Sequence, residues 1–311
     1  MISDAVMEAL KRFVQPENIH IQEIMAAHTT FRVGGPADCL VELENVQQLQ
    51  NIQHYLHLVE IPYVILGNGS NVLVSDEGYR GVVLRVGNRM NRITVVGNRI
   101  VAQAGALMSQ VARTALEHGL TGMEFASGIP GTVGGGVVMN AGAYGGEMSQ
   151  IVTSVTVVNA EGEIMELENE SMEFGYRYST IRNQPFTVTE VSFELKPGEK
   201  ETIKATMDDL SARRREKQPL EYPSAGSTFK RPEGHFAGEL IMNAGLRGFQ
   251  IGGARISDKH CGFVINAGNA TAADIMTLIR EVQICVKEKF HVDLEPEVVF
   301  LGKFPESAVE K

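Results

Sequence analysis

Several segments of the chain place apolar side chains at every third or fourth position, which predicts amphipathic helices. In residues 45–60 the apolar positions are Val46, Leu49, Ile52, Leu56 and Val59. The same spacing predicts helices over residues 1–13, 107–118 and 200–217, the second with Gly119 at its C-cap. Thr271 opens a further helix, because Asp274 stands three residues later as in a capping box. Its apolar stripe consists of Ile275, Leu278, Ile279, Val282 and Val286.

Shorter apolar runs bounded by turn residues predict strands. They cover residues 61–67, 81–86, a pair around a Gly-Asn turn at 93–105, a hairpin at 152–168, a half-buried strand at 187–195 and a C-terminal strand at 292–302. Residues 218–265 are rich in glycine and proline and yield no assignment. Because hairpins outnumber strand–helix–strand units, the pattern predicts an α+β fold rather than a simple doubly wound sheet.

Composition excludes several classes of protein. The chain has 311 residues, 43% hydrophobic, with a formal net charge of −10 and a pI near 5.4, which disfavours nucleic acid or an anionic membrane as partner. Cys39, Cys261 and Cys285 form no CxxC pair, so we expect no disulfide, no metal site and a reducing, cytoplasmic location. The context of Cys261 indicates a small buried hydrophobe rather than a thiol nucleophile. No signal peptide or membrane insertion is expected.

The most unusual feature is a pair of glycine-rich segments about sixty residues apart. The first, after the predicted strand at 61–67, contains Gly67, Asn68, Gly69, Ser70 and Asn71, and its successive N–H groups could form an anion-binding nest. The second, at 128–147, contains Gly128, Gly131, Thr132, Gly134, Gly135, Asn140, Gly142, Ala143 and Tyr144. Either alone could be an ordinary turn. Together they predict a dinucleotide site, although no GxGxxG or Walker motif occurs.

These segments belong to an ordered set of motifs that spans nearly the whole chain. The motifs are TTFRVGGPAD (29–38), GNGSN (67–71), DEGYRG (76–81), GIPGTVGG (128–135), NAGAYG (140–145), FGYRYS (174–179), SAGSTFKRP (224–232), AGELIMNAGLRG (237–248), SDKHCGFVIN (257–266) and LEPEV (294–298). In this order the chain resembles the UDP-N-acetylenolpyruvoylglucosamine reductase family, flavoenzymes of peptidoglycan synthesis.

The resemblance implies a fold and a division into domains. The implied fold is a two-lobed FAD-binding domain of the vanillyl-alcohol-oxidase (PCMH) type with a separate α+β substrate-binding domain. The expected boundaries are residues 1–85 with 292–311 for the first FAD lobe, 86–217 for the second lobe and 218–291 for the substrate domain. The chain looks like the shorter subtype, which lacks an extra tyrosine-bearing segment.

The resemblance also implies cofactor, substrates and catalytic residues. FAD would carry hydride from NADPH to an enolpyruvyl UDP-sugar, Ser227 would donate the proton, Glu297 would be the acidic residue, and Arg177 would face the substrate carboxylate. From the residues alone, Ser227 could be a turn serine, Arg177 a surface arginine, and Glu295 is as good a candidate as Glu297. The predicted substrate contacts are Tyr176, Arg213, Lys217 and Lys230.

Two other functions remain open from sequence. The first is an oxidase on the same flavin fold, although neither glycine-rich loop contains the histidine or cysteine that often tethers flavin in such enzymes. The second is a non-catalytic nucleotide-binding protein, which replacement of Arg177, Ser227 or Glu297 would favour. All three residue types are present. We expect a monomer or weak oligomer.

Overall fold

The computed structural model describes residues 2–304. Its α-helices are α1 (Asp4–Leu10), α2 (Val46–Leu58), α3 (Met108–Glu117), α4 (Val133–Val138), α5 (Lys200–Lys217), α6 (Ala237–Asn243) and α7 (Ala272–Phe290). Single 3-10 turns lie at Pro16–Asn18, Met25–His28, Glu124–Gly128, Met148–Gln150, Asn169–Met172 and Thr180–Asn183. The helices predicted over residues 1–13, 45–60, 107–118 and 200–217, and the one predicted to follow Thr271, are therefore confirmed.

The strands are short, as the many turn residues predict. They are β1 (Ile19–Ile24), β2 (Pro36–Glu42), β3 (Tyr63–Leu66), β4 (Val72–Val74), β5 (Tyr79–Arg85), β6 (Ile93–Val96), β7 (Arg99–Gln103), β8 (Leu120–Thr121), β9 (Gly142–Ala143), β10 (Gly146–Glu147), β11 (Val152–Val158), β12 (Ile164–Glu168), β13 (Thr187–Glu194), β14 (Lys196–Pro197), β15 (Gln250–Ile251), β16 (Ala254–Ile256), β17 (Val264–Asn266) and β18 (Val299–Leu301).

The larger sheets are mostly antiparallel. One has the order β12-β11-β13-β7-β6, with every neighbouring pair antiparallel. A second has the order β1-β2-β5-β3, in which β3 and β5 run parallel with Tyr63 opposite Val82. The antiparallel order β15-β16-β17 forms a third sheet, and the short strand β4 pairs in parallel with the C-terminal strand β18.

Two local expectations were wrong. The strand at 187–195 is not half-buried: β13 lies between β11 and β7, helix α4 packs against it, and only Glu190 and Glu194 escape burial. The C-terminal strand is confined to Val299–Leu301, because Pro296 has no N–H and the preceding residues pair elsewhere. The glycine-rich segment 128–147, for which the sequence yields no assignment, contains helix α4.

Two compact units divide the described chain, and each has its own core. The first comprises residues 2–21, 39–68 and 81–216, with a core around Leu49, Val155 and Phe193. The second comprises residues 22–38, 69–80 and 217–304, with a core around Phe31, Ile241 and Ile279. The predicted division into two FAD lobes and a substrate domain stays a prediction, and its residues 1 and 305–311 lie outside the described chain.

Helix α7 shows how local sequence and a distant residue define one element. Thr271 accepts a hydrogen bond from the Asp274 N–H at 3.0 Å, and Asp274 accepts one from the Thr271 N–H at 3.0 Å, which confirms the capping box. The carboxylate of Asp76 accepts the N–H groups of Ala272 and Ala273, each at 2.8 Å. The predicted apolar stripe of α7, from Ile275 to Val286, is buried. Across residues 2–304, no helix combines the length and hydrophobicity needed to span a bilayer.

Candidate active site

The two glycine-rich segments touch each other through residues of the first unit. The side-chain amide of Asn68 donates a hydrogen bond to the carbonyl of Pro130 at 2.6 Å. A Cβ atom at Gly67 would collide with the hydroxyl of Thr132, so only glycine permits this approach. The sequence prediction that these segments act together is therefore consistent with their packing.

Helix α4 shows which glycines serve the fold and which leave backbone bare. A Cβ at Gly134 would lie 2.9 Å from the Cβ of Ala104, and one at Gly136 would lie 2.7 Å from the sulfur of Met108. In contrast, Gly135 is exposed, and a Cβ there would meet only the Thr132 hydroxyl, at 3.6 Å. That hydroxyl caps the helix by accepting the Gly135 N–H at 3.4 Å. A flat ring could therefore reach the main chain at Gly135.

The second half of the segment is held by Asn140, which is 1% exposed. Its side-chain amide donates to the Gly175 carbonyl at 3.0 Å and its side-chain oxygen accepts the Ser149 N–H at 3.0 Å. The Asn140 side chain therefore forms hydrogen bonds to two other segments of the protein, at Gly175 and Ser149. Beyond it, β9 and β10 pair Gly142 with Glu147 and Ala143 with Gly146, and leave Tyr144 45% exposed.

Arg177 lies beside this hairpin. Gly175 and Tyr178 exchange two main-chain hydrogen bonds, so Tyr176 and Arg177 form the tip of a tight turn, with Arg177 at a φ of 55°. The guanidinium of Arg177 donates to the Gly142 carbonyl at 3.4 Å and lies 5.0 Å from the ring centre of Tyr176. Tyr176 is exposed. The structure thus places Arg177, Tyr176 and Gly142 together.

The basic end of α5 contains a residue that the sequence reasoning missed. Arg214 donates to the carbonyl of Gly128, and its guanidinium carbon lies 5.9 Å from the Tyr144 ring centre, within cation–π range. Arg213 points elsewhere, to an exposed ion pair with Asp209 at 2.8 Å. The sequence does indicate that Arg214 faces the protein. On a helix it falls on the same face as the apolar residues Ile203, Met207 and Leu210. Lys217, the last residue of α5, is exposed.

In the second unit, Ser227 and Glu297 lie on two neighbouring chain segments. The Glu297 N–H donates to the Thr228 carbonyl at 2.8 Å, and Phe229 forms an antiparallel bridge with Pro296. Ser227 is exposed and Glu297 is half-buried. Thr228, which follows Ser227 and accepts the Glu297 N–H, is fully buried. Glu295, the alternative to Glu297, forms an ion pair with Lys230.

The rest of the first glycine-rich segment belongs to the same unit. Gly69 has a φ of 61° and its carbonyl accepts the Thr30 N–H at 3.1 Å, whereas a Cβ there would collide with the His28 carbonyl. Asn71 donates from its side chain to the Glu297 carbonyl at 3.0 Å, and its own carbonyl accepts the Val299 N–H at 3.0 Å. Ser70 between them is half-buried.

Two titratable neighbours of this region have shifted pKa values. Burial lowers the pKa of His260, whose Nδ1 accepts the Gly262 N–H at 3.1 Å, so the neutral ring is favoured. Burial raises the pKa of Cys261, which is 4% exposed. The thiol form is therefore favoured, and the prediction that Cys261 is a buried small residue is confirmed.

Comparison with known proteins identifies the chain. Residues 37–168 match the FAD binding domain family, and residues 218–301 match the family described as UDP-N-acetylenolpyruvoylglucosamine reductase, C-terminal domain. A UDP-N-acetylenolpyruvoylglucosamine reductase of Caldanaerobacter subterraneus subsp. tengcongensis is 48% identical over 302 residues, covering 97% of this chain and 100% of the relative. One of Clostridium perfringens is 51% identical over 294 residues, covering 94% and 96%.

Comparison with solved structures supports the same family. The crystal structure of the UDP-N-acetylenolpyruvylglucosamine reductase of Thermus caldophilus superposes with a TM-score of 0.80 at 36% identity, covering 91% of this chain and all of that one. An alkyldihydroxyacetonephosphate synthase matches 63% of this chain and 41% of its own at 18% identity and a TM-score of 0.50, which shows a shared fold alone.

The FAD-binding domain and the glycine-lined backbone define an FAD-dependent oxidoreductase. Within that class, the chain belongs to the UDP-N-acetylenolpyruvoylglucosamine reductase family. The predicted fold class is confirmed as a mixed helix-and-sheet fold that combines an FAD-binding domain with the C-terminal domain of this reductase family. The glycine backbone at Gly135, beside the Gly67 and Gly128 loops, fits a flavin nucleotide; which residues contact it stays a prediction.

Proposed function

We propose that this chain reduces UDP-N-acetylglucosamine enolpyruvate to UDP-N-acetylmuramate with NADPH, a cytoplasmic step of peptidoglycan precursor synthesis. The family assignment supports this reaction over the oxidase and the non-catalytic alternative. Bound FAD supplies the hydride chemistry, with NADPH as the reductant. The chain itself must bind the UDP-sugar, stabilise the charge that develops beside the carboxylate, and deliver one proton.

The observation that carries the proposed chemistry is the pairing of the Ser227 and Glu297 segments. Because the Glu297 N–H is bonded to the residue that follows Ser227, the hydroxyl and the carboxyl belong to one rigid pair of segments. When hydride reaches the vinyl CH2 carbon, negative charge develops on the neighbouring carbon. Ser227 donates its hydroxyl proton to that carbon, because a carbanion is a far stronger base than an alkoxide. Glu297 then assists as the adjacent acid.

Arg177 has a separate role in this proposal. Its guanidinium pairs with the substrate carboxylate and stabilises the charge that spreads into it during hydride addition. The positive φ of Arg177 supports this assignment, because strained main-chain conformations cluster at functional sites. Lys217 and Tyr176, both exposed, are the better candidates for substrate contact, whereas Arg213 and Lys230 are already ion-paired.

The test is the rate of NADPH oxidation without oxygen, measured with and without the enolpyruvyl nucleotide. Multiple turnovers that require the nucleotide are expected from FAD-replete protein. Ser227→Ala should retain FAD and lose about 10²–10⁴-fold in turnover, the usual contribution of a positioned general acid. Ser171→Ala, a change at another exposed serine, should leave turnover unchanged. Nucleotide-independent turnover would contradict the proposal. Sedimentation would test the expected monomeric or weakly associating state.

A further inference from the structure

The residue that ends the first glycine-rich segment is bonded to the proposed acid. Asn71 was predicted from sequence as a flavin contact. In the structure its side-chain amide donates to the main-chain carbonyl of Glu297 at 3.0 Å. On the other side, the carbonyl of Asn71 accepts the N–H of Val299 at 3.0 Å. Asn71 thus engages the chain both at Glu297 and two residues beyond it.

Glu297 is also held from the opposite side. Its N–H donates to the Thr228 carbonyl at 2.8 Å, so both main-chain polar groups of Glu297 are bonded within the unit. Thr228 is itself fixed, because its N–H donates to the Gly262 carbonyl at 2.8 Å and its hydroxyl accepts the Val264 N–H at 2.9 Å. Main-chain bonds on either side leave Glu297 little freedom to rotate its peptide planes.

Asn71 also begins the register of the parallel strand pair. Directly after it, Val72 lies opposite Val299, Leu73 opposite Phe300 and Val74 opposite Leu301. Glu297 lies two residues before this pairing begins. The Asn71 amide therefore links the start of the strand pair to the main chain of Glu297.

We propose that Asn71 is a positioning residue for Glu297: it fixes the peptide of the proposed acid through a side-chain hydrogen bond and so sets the alignment of Glu297 with Ser227. This inference rests on the proposed function for the roles of those two residues. The hydrogen bond itself is independent of that function. A chain that lacks this amide should bind flavin normally but protonate the substrate poorly.

The matched variants are Asn71→Ser and Asn71→Asp. Serine removes the amide, and aspartate keeps the shape but replaces the donor with an oxygen that repels the Glu297 carbonyl. Asn243→Ser, an exposed change at the end of α6 in the same unit, is the control. Each variant is purified as holoenzyme and compared with wild type in three measurements: flavin content and affinity, flavin reduction by NADPH alone, and steady-state turnover across pH.

For both Asn71 variants we expect flavin affinity and flavin reduction within about twofold of wild type. Turnover with the enolpyruvyl nucleotide should fall at least tenfold, because the loss of one hydrogen bond corresponds to about that change in rate. The pH at which turnover falls should also shift, because the surroundings of Glu297 change. Equal losses of flavin affinity and turnover would overturn the proposal and make Asn71 a flavin ligand. Unchanged turnover would overturn it as well.

Hydrogen–deuterium exchange separates this inference from the proposed function. The Glu297 amide should exchange faster in the Asn71 variants than in wild type and in Asn243→Ser, whatever reaction the enzyme performs. Unchanged exchange would refute the positioning role even in an active reductase. Faster exchange in a protein without nucleotide-dependent turnover would instead mean that the proposed function is wrong while the contact is real.

Discussion

The guanidinium of Arg214 donates a hydrogen bond to the main-chain carbonyl of Gly128 and lies 5.9 Å from the centre of the Tyr144 ring. One side chain of α5 therefore contacts both ends of the glycine-rich segment. A Cβ at Gly128 would lie 3.0 Å from the Arg214 Nε, so the glycine is what lets the guanidinium reach the main chain. This contact connects the basic end of α5 to the predicted flavin loops.

Arg214→Ala is expected to weaken FAD binding about tenfold or more, since a hydrogen bond from a charged donor contributes about 1.5–3 kcal/mol. Arg214→Lys should give an intermediate affinity, because a lysine keeps the charge but cannot bond the carbonyl and cover the ring together. Titration of apoprotein with FAD measures both. Arg215→Ala, at an exposed neighbour bonded to Ser211, should bind FAD like wild type. Equal losses at Arg214 and Arg215 would indicate a general charge effect instead.

Two adjacent glycines of α4 should respond oppositely to alanine. Gly135→Ala adds a Cβ in ordinary van der Waals contact with the Thr132 hydroxyl at 3.6 Å, so the apoprotein should be as stable as wild type or more stable by about 0.5–1 kcal/mol, the advantage of alanine in a helix. Its FAD affinity should fall sharply, because the methyl group occupies the bare backbone. Gly134→Ala should instead destabilise the apoprotein by about 1–3 kcal/mol through overpacking against Ala104.

Urea unfolding of the apoproteins and FAD titration together check this pair. If Gly135→Ala bound FAD with wild-type affinity, the exposed backbone of α4 would not be part of the flavin site. Gly134→Ala controls for nonspecific damage to the helix, because it should lower the free energy of unfolding of the apoprotein, which is measured without any ligand.

Elements defined by local signals could be predicted from sequence. Helix α7 has its cap at Thr271 and its apolar stripe within its own residues, and α2 begins at the cap Asn45, whose side chain accepts the Gln48 N–H at 2.9 Å. Helix α4 could not be predicted, because three of its residues are glycines, each about 1 kcal/mol worse than alanine in a helix. It forms through packing on Ala104 and Met108, which are distant in sequence.

The same distinction applies to the candidate site. Ser227 and Glu297 were indicated by family motifs, but their pairing through Thr228 joins residues far apart in the chain. Asn71 and Asn140 were predicted as flavin contacts because asparagine in a glycine-rich loop can face a ligand. In the structure both bond distant main-chain carbonyls, at Glu297 and Gly175. No short-range pattern reveals such partners.

Thr228 should be essential for stability rather than for chemistry. Thr228→Val is nearly isosteric but removes the hydroxyl that accepts the Val264 N–H, leaving a buried donor unpaired. We expect the free energy of unfolding to fall by about 1–3 kcal/mol. Thr228→Ser keeps the acceptor and should lose only the smaller contribution of one methyl group, about 1 kcal/mol. Urea unfolding distinguishes them, and equal losses would show that the hydrogen bond contributes little.

The stability contributed by Asp274 should depend on pH. Hydrogen bonds from the Thr271 and Gly253 N–H groups hold the pKa of Asp274 below its ordinary value of 3.8. A carboxyl whose pKa is lowered by folding stabilises the protein above its unfolded pKa, and the effect is lost as pH falls through the folded pKa. Asp274→Asn should therefore be about 1 kcal/mol less stable than wild type near neutral pH, the usual size of a cap contribution.

That difference should shrink progressively below pH 3.8, because the wild-type carboxyl then becomes protonated and loses its advantage over the amide. Unfolding of both proteins over a pH series measures the difference. Asp208→Asn, at an exposed pair with Lys204 on α5, should change stability by only a few tenths of a kcal/mol at any pH. A difference at Asp274 that stayed constant into strong acid would show that the asparagine disturbs packing, and that the charge at the start of α7 does not stabilise the helix.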